Sequence, residues 1–120
     1  MEVNKKYAYM FDVKDEPINS WGFEFDEGWK DIFEQCLEEI FNIDVNKNIR
    51  IVQAKEKFGL LRIYCQAADN DYENPIYCEA REILYKYEDI SSKICEVCGK
   101  AGAIHSDQGW LKTVCECHKK

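Results

Sequence analysis

The most restrictive feature of this sequence is a set of metal-ligating residues near its C-terminus. Two residues separate Cys95 from Cys98, and the same spacing separates Cys115 from His118, with 16 residues between the two pairs. Zinc prefers four sulfur or nitrogen ligands in a tetrahedron, and two such pairs supply them. The spacing therefore predicts a zinc ion bound by Cys95, Cys98, Cys115 and His118.

The fourth ligand has one alternative, because Cys117 immediately precedes His118. With this thiolate in place of the imidazole, the site would have four sulfur ligands. The other interpretations are a redox-active CxxC pair at Cys95 and Cys98, or free surface thiols. A redox pair leaves the second cluster without a role. Zinc coordination accounts for both pairs and is the interpretation that we favour.

The zinc is predicted to be structural rather than catalytic. A catalytic zinc keeps one coordination position open and has a nearby carboxylate base, whereas four soft ligands close the shell. The HxE and PCxxC signature of zinc-dependent base deaminases does not occur in the sequence. Residues 93–120 contain few large apolar side chains, so metal binding is expected to supply the free energy that folds them. Trp110 and Leu111 are expected to cover the ion, and His105 to lie in a loop.

Composition sets the broad class of the protein. The chain has 120 residues, 46% of them apolar, which suits one compact domain. It has no run of 18 apolar residues and no apolar export signal at its start, so we expect a cytoplasmic protein without a membrane partner. Seven cysteines in that setting indicate metal or reduced thiols rather than disulfides. The net charge of −7 makes nucleic acid an unfavourable partner.

Periodicity predicts the elements of the first third of the chain. Alternating aromatic residues predict strands over residues 7–11 and 21–26, with a turn over 17–20 between them. A helical period of apolar residues follows over residues 29–41, opposite an acidic face. Asp26 is placed to cap this helix through its side chain.

A second amphipathic helix is predicted to begin at Asn74 and Pro75, because proline suits the first turn of a helix. No glycine or proline interrupts residues 76–98, so this helix is expected to lead straight into residues 93–120, the cysteine module.

The predicted fold is α+β, with a small antiparallel sheet, two amphipathic helices and a C-terminal zinc ribbon or knuckle. We expect a core over residues 1–92 and a zinc-binding module over 93–120.

Residues 49–66 predict a hairpin between the two helices. Its turn is expected at Phe58 and Gly59, although Phe-Gly is not a favoured two-residue turn and a four-residue loop over 57–60 is an alternative. Both versions pair Lys55 with Arg62. The apolar face of the hairpin is expected to consist of Val52, Ala54, Leu61, Ile63 and Cys65.

The opposite face of this hairpin is a candidate binding site for an anion. Residues 45–68 carry five basic side chains and one acidic side chain, between two acidic segments. Two cations directly opposite each other destabilise a sheet unless an anion compensates them. A phosphate or carboxylate ligand would meet Lys55, Lys57, Arg62 and Tyr64. The alternative is an internal ion pair with Glu34, Glu38 or a carboxylate of residues 69–90.

Little in the sequence supports catalysis. There are two histidines, one of them predicted on zinc, which leaves few residues for a Cys-His or Ser-His pair. We therefore predict no catalytic residue and favour a non-enzymatic protein. The three cysteines outside the metal set, Cys36, Cys65 and Cys78, are expected to be packing residues.

The order of four motifs resembles a family of small, largely uncharacterised phage and prophage proteins. The motifs are FEFDEGW at 23–29, KEKFGLLR at 55–62, CEVCG at 95–99 and GWLKTVCECH at 109–118. The resemblance implies a terminal zinc knuckle, a bacterial cytoplasmic setting, and Cys115 and His118 as ligands rather than Cys117. The chain departs from the family pattern at Phe25, where cysteine is common, and at Leu60, where glycine is common.

These observations favour a phage-type binding protein stabilised by zinc. Its partner would be a host protein, for example a defence protein, or an anionic nucleotide that it sequesters. A metal-dependent nucleotide-processing enzyme is one alternative, but it needs an open metal position. A zinc-ribbon accessory protein that binds nucleic acid is the other, and the mildly basic charge of residues 91–120 gives it little support.

Overall fold

Two α-helices and two small antiparallel sheets make up the fold in the computed structural model, which describes residues 3–12, 23–107 and 109–119. This α+β arrangement confirms the predicted fold class. Within those ranges, no helix is both long and apolar enough to cross a membrane. The elements are a 3₁₀ helix Lys5–Phe11, a 3₁₀ turn Glu27–Trp29, α1 Lys30–Ile43, β1 Ile49–Lys57, β2 Leu60–Ala67, α2 Pro75–Ser91, β3 Ala103–Asp107, β4 Trp110–Val114 and a 3₁₀ turn Glu116–His118.

The predicted first strand is wrong, because residues 5–11 form a 3₁₀ helix. The Asn4 side chain accepts a hydrogen bond from the Lys6 amide and so caps its first turn. Helical spacing then buries Tyr7, Met10 and Phe11 together, whereas an alternating pattern would place Met10 on the face opposite the other two. The aromatic alternation at residues 7, 9 and 11 concealed this second periodicity.

The predicted strand over residues 21–26 is reduced to a single bridge in its described part. Glu24 pairs in parallel with Lys55, through hydrogen bonds of 3.1 Å to the Ala54 carbonyl and 2.9 Å from the Glu56 amide. Trp21, Gly22 and the predicted turn over 17–20 lie outside the described residues.

Helix α1 follows the predicted period, and its buried side is continuous with Trp29, which is fully buried. The predicted cap is wrong, because the Asp26 side chain makes no capping hydrogen bond. Instead, the Asp26 backbone N–H donates to Glu96 Oε2 at 3.1 Å. This segment is therefore positioned by the metal-binding region rather than by the helix that follows it.

The β1–β2 hairpin has the predicted turn. Phe58 and Gly59 have φ angles of 56° and 83°, as a two-residue type I′ turn requires, so the four-residue loop is excluded. Lys55 lies opposite Arg62 as expected. A bulge at Val52 shifts the register beyond it, which leaves this residue half-buried and turns Ile51 into the core in its place. The prediction that Val52 belongs to the apolar face is wrong for this reason.

Helix α2 begins as predicted, with the Asn74 side chain accepting from the Ile76 amide at 2.8 Å. It ends at Ser91 and does not continue into the cysteine module. The Ser91 hydroxyl accepts a hydrogen bond from the Leu61 amide, and the Ile94 carbonyl accepts one from Trp29 Nε1. Contacts with the core thus take the place of further helical turns.

The cysteine module packs directly on the core at Gly28. The Gly28 amide donates to the Glu96 carbonyl at 2.7 Å, and a Cβ atom at this position would lie 2.3 Å from the Cys95 carbonyl oxygen. Only glycine allows this approach. At a second contact, the buried Thr113 hydroxyl donates to the Gly59 carbonyl at the tip of the β1–β2 hairpin.

Of the cysteines predicted to be packing residues, Cys36 is buried and Cys65 is half-buried. Burial raises the pKa of both thiols, that of Cys65 to about 11, so both are unreactive at neutral pH. Cys78 is exposed, and the packing prediction is wrong for this residue.

Candidate metal centre

Two tight turns bring the predicted ligands together. In the first, the Gly99 amide donates to the Cys95 carbonyl at 2.9 Å and the Cys95 amide donates to the Lys100 carbonyl at 2.7 Å. In the second, the His118 amide donates to the Cys115 carbonyl at 3.1 Å. Pairing of β3 with β4 then places the second turn against the first.

The four ligand atoms have the spacing of a tetrahedral metal site. They all lie within 4.8 Å of one another, and Cys98 Sγ is 3.7 Å from Cys115 Sγ. His118 Nδ1 lies 3.2 Å from Cys115 Sγ and 3.7 Å from Cys95 Sγ. Metal–sulfur bonds of about 2.3 Å in a tetrahedron separate two sulfurs by about 3.8 Å. Cys95, Cys98, Cys115 and His118 can therefore hold one metal ion.

Hydrogen bonds favour the thiolate form of two of these cysteines. Burial opposes ionisation of Cys95, but the backbone amides of Cys115, Cys98 and Val97 outweigh it and lower its pKa to about 6. The hydrogen bond with His118 lowers the pKa of Cys115, and the same contact raises the pKa of His118. Thiolates are the form that binds metal, so these hydrogen bonds favour metal binding by Cys95 and Cys115.

The residues around the cluster differ from the sequence-based expectations. Cys117, the alternative fourth ligand, is exposed and lies outside the group of four. Trp110 and Leu111 do not cover the site, because 74% and 37% of their surface is exposed. His105 lies in β3 opposite Lys112 and not in a loop.

A buried carboxylate beside the cluster was missed by the sequence analysis. Glu96 lies inside the CxxC turn and is only 9% exposed. Burial, together with the neighbouring charges of Asp26 and Glu56, raises its pKa. Nothing in the local sequence distinguishes this glutamate from an exposed one, because its burial comes from the packing of the turn on residues 26–28.

The four predicted anion-binding residues of the hairpin do not converge on one point. Arg62 Nε lies 2.6 Å from Glu88 Oε1, so a carboxylate of α2 compensates its charge, as the internal alternative proposed. This contact lacks the angle of a hydrogen bond. Lys57 Nζ lies 5.7 Å from the centre of the Phe58 ring, and Lys55 is half-buried beside Glu24.

Arg62 and Tyr64 instead line a groove of about 460 Å³ between β2 and α2. Helix α2 contributes a cation and two aromatic rings to it, at a spacing of four residues, Tyr77, Arg81 and Tyr85. Arg81 donates to the Tyr85 hydroxyl, and no carboxylate of the described residues lies within 4.0 Å of its guanidinium. The four-residue spacing is visible in the sequence, but the groove exists only once α2 packs beside β2.

No protein-family model, curated protein or solved structure matches this chain. The resemblance to small phage proteins therefore stays a prediction, and the functional conclusions below depend on the geometry of the sites.

Proposed function

We propose that the protein is a zinc-stabilised binding protein that takes up a small anionic, aromatic ligand of the nucleotide class. The zinc would be structural. Three thiolates and one imidazole at tetrahedral spacing match the ligands and geometry that zinc prefers, and they leave no coordination position for a substrate. This closed shell favours a role in binding over metal-dependent catalysis.

One observation carries the binding proposal: the groove between β2 and α2 is lined by two arginines and three tyrosines, namely Arg62, Arg81, Tyr64, Tyr77 and Tyr85. Guanidinium groups bind phosphates through paired N–H donors, and aromatic rings stack on bases. The Arg62 charge is compensated by Glu88, so Arg81 would supply the main contact to an anion. The volume of about 460 Å³ lies in the range of small-molecule sites.

A host protein is the second candidate partner, because the same groove is rich in the residue types that dominate protein interfaces. Tyr64 and Tyr85 are 38% and 51% exposed, and tyrosine and arginine are the side chains most often found at binding hot spots. The phage origin, the defence-related partner and the cytoplasmic location rest on the motif resemblance and the composition alone.

The zinc is tested by metal analysis of protein purified without chelator. We expect one zinc per chain, and a chain without stoichiometric zinc would contradict the proposal. A Cys78→Ser variant is the matched control, because it removes an exposed cysteine outside the cluster and should retain the full metal content.

The groove is tested by calorimetric titration with a panel of nucleoside mono-, di- and triphosphates. We expect Arg81→Ala to weaken binding about tenfold, the usual effect of losing one charge-assisted contact. Lys93→Ala removes one positive charge two residues beyond the end of α2, where its side chain is 75% exposed, and should leave affinity unchanged. Absence of binding by any nucleotide, with capture of a bacterial protein that Arg81→Ala abolishes, would favour the protein partner.

A further inference from the structure

A second and larger cleft, of about 830 Å³, lies beside the metal centre on the open face of the β3–β4 hairpin. It shares no lining residue with the β2–α2 groove. The residues that matter for its chemistry are Asp26, Glu96, Trp110, Lys112 and Lys119.

The strand register explains why this face is open. Trp110 and Lys112 alternate along β4 and therefore point to the same side of the sheet. Leu111 and Thr113 point to the other side, where Thr113 contacts Gly59 of the core. One face of the hairpin thus contacts the core at Thr113, and the other presents an indole ring that is 74% exposed.

The wall of the cleft holds a fixed hydrogen-bond acceptor. Glu96 is 9% exposed, and its Oε2 atom accepts the Asp26 backbone N–H at 3.1 Å. Its own amide donates to the Thr113 carbonyl at 2.9 Å, which ties the residue to β4. Because the Asp26 N–H holds Oε2 as an acceptor, the side chain favours ligands that present donors.

We propose that this cleft binds a guanine nucleotide, a site that goes beyond the proposed function of the β2–α2 groove. Trp110 would stack on the base and Glu96 would accept from its N1–H and N2–H groups. Lys112 and Lys119 would meet the phosphate. Guanine alone among the standard bases has two adjacent donors on its pairing edge. Adenine and cytosine place a ring-nitrogen lone pair beside the amino group, which a carboxylate repels.

The test is a titration of the zinc-loaded full chain with GMP and, separately, AMP. Intrinsic fluorescence and calorimetry are both recorded. We expect GMP to quench the emission of the exposed indole and to bind at least about tenfold more tightly than AMP, as one paired hydrogen-bond contact provides.

Three variants assign the contacts. Trp110→Ala should abolish the quench and weaken GMP binding about tenfold, and it should fold normally because the ring is mostly exposed. Glu96→Gln should remove the preference for GMP over AMP. Ile104→Ala is the matched control, since it removes an exposed apolar side chain in the neighbouring strand and lies opposite Thr113, on the other face.

The proposal is overturned if GMP and AMP bind equally to the wild type, or if Trp110→Ala binds GMP as tightly as the wild type does. If Glu96→Gln does not fold, the proposal is tested by the affinity of Trp110→Ala for GMP and by the ratio of the wild-type affinities for GMP and AMP. GMP binding lost in Arg81→Ala but kept in Trp110→Ala would assign the nucleotide to the β2–α2 groove, which would contradict the cleft and support the proposed function.

Discussion

The two hairpins of this protein have the same topology but are stabilised by different means. In β1–β2, six side chains enter the core, namely Ile49, Ile51, Ala54, Leu61, Ile63 and Ala67. In the described part of β3–β4, only Thr113 and Val114 are buried. Each buried isoleucine contributes about 2 kcal/mol, so the first hairpin is stable through burial. The second buries little apolar surface, so we expect it to depend on metal binding by the four candidate ligands and on its contacts with the core.

This difference explains where the motif residues lie. Gly28, Gly59 and Thr113 belong to three separate motifs of the sequence, and all three lie where residues 93–120 meet the core. Gly28 contacts the CxxC turn, whereas Gly59 and Thr113 contact each other at β4. Their roles are a close backbone approach, a tight turn and a buried hydrogen bond. These three residues therefore form the contact between residues 93–120 and the core. Glu96, Trp110 and Lys112 of the candidate cleft belong to the same motifs, whereas the α2 residues of the β2–α2 groove lie outside them.

The largest expected effect comes from removing a metal ligand. Cys95→Ser should abolish stoichiometric metal binding and unfold the β3–β4 hairpin, whereas α1, α2 and the β1–β2 hairpin stay folded because their core is apolar. Amide hydrogen exchange, measured by NMR, checks both halves of this expectation. Equal protection of β3–β4 in the variant and the wild type would contradict the difference between the hairpins.

Gly28→Ala should be the most destabilising change outside the ligands. The added methyl group would lie 2.3 Å from the Cys95 and Glu96 carbonyl oxygens, and both backbones must move to relieve the clash. We expect a loss of about 3 kcal/mol in the free energy of unfolding, measured by urea denaturation. Glu27→Ala changes an exposed neighbour in the same turn and should cost about 0.5 kcal/mol or less.

Thr113→Val tests the second contact between residues 93–120 and the core, the hydrogen bond from Thr113 to Gly59. Valine keeps the shape of the side chain but leaves the Gly59 carbonyl without its hydroxyl donor, at a cost of about 1–2 kcal/mol. Thr113→Ser keeps the hydroxyl and should retain more stability than the valine variant. If urea denaturation gives the valine variant a higher free energy of unfolding than the serine variant, this hydrogen bond does not stabilise the contact.

The smallest expected effect comes from a side-chain contact between α1 and α2, away from the β3–β4 hairpin. Lys86 and Tyr87 hydrogen-bond to Glu39 and lower the pKa of this carboxyl below its ordinary value of 4.5. A lowered folded-state pKa gives stability that is present above the unfolded-state pKa and is lost as the pH falls through the folded-state value. Glu39→Gln should therefore reduce the loss of stability between pH 6 and pH 3, followed by thermal unfolding. An unchanged pH dependence would show that this contact does not contribute.

Local patterns in the sequence were sufficient for the positions of the two α-helices and for the hairpin register between Gln53 and Tyr64. The apolar stripe of α1 and the pairing of Lys55 with Arg62 follow from periods of about 3.6 and 2.0 residues, which any chain of this pattern shares. The 3₁₀ helix Lys5–Phe11 was missed because its residues fit two periods at once. The bulge at Val52 was missed because an extra residue leaves no local signal in an apolar strand.

The sequence by itself determined the metal-ligand spacing and most of the apolar faces, because each depends on residues close together in the chain. The structure decided the two-residue turn at Phe58 and Gly59, because Phe-Gly is not a favoured turn. Only the tertiary structure decided that Glu96 is buried, that Trp110 is exposed and that Gly28 must lack a side chain. These properties arise where backbones distant in the chain approach each other. Sequence periodicity records which face of an element is apolar, but it does not record which other element covers that face.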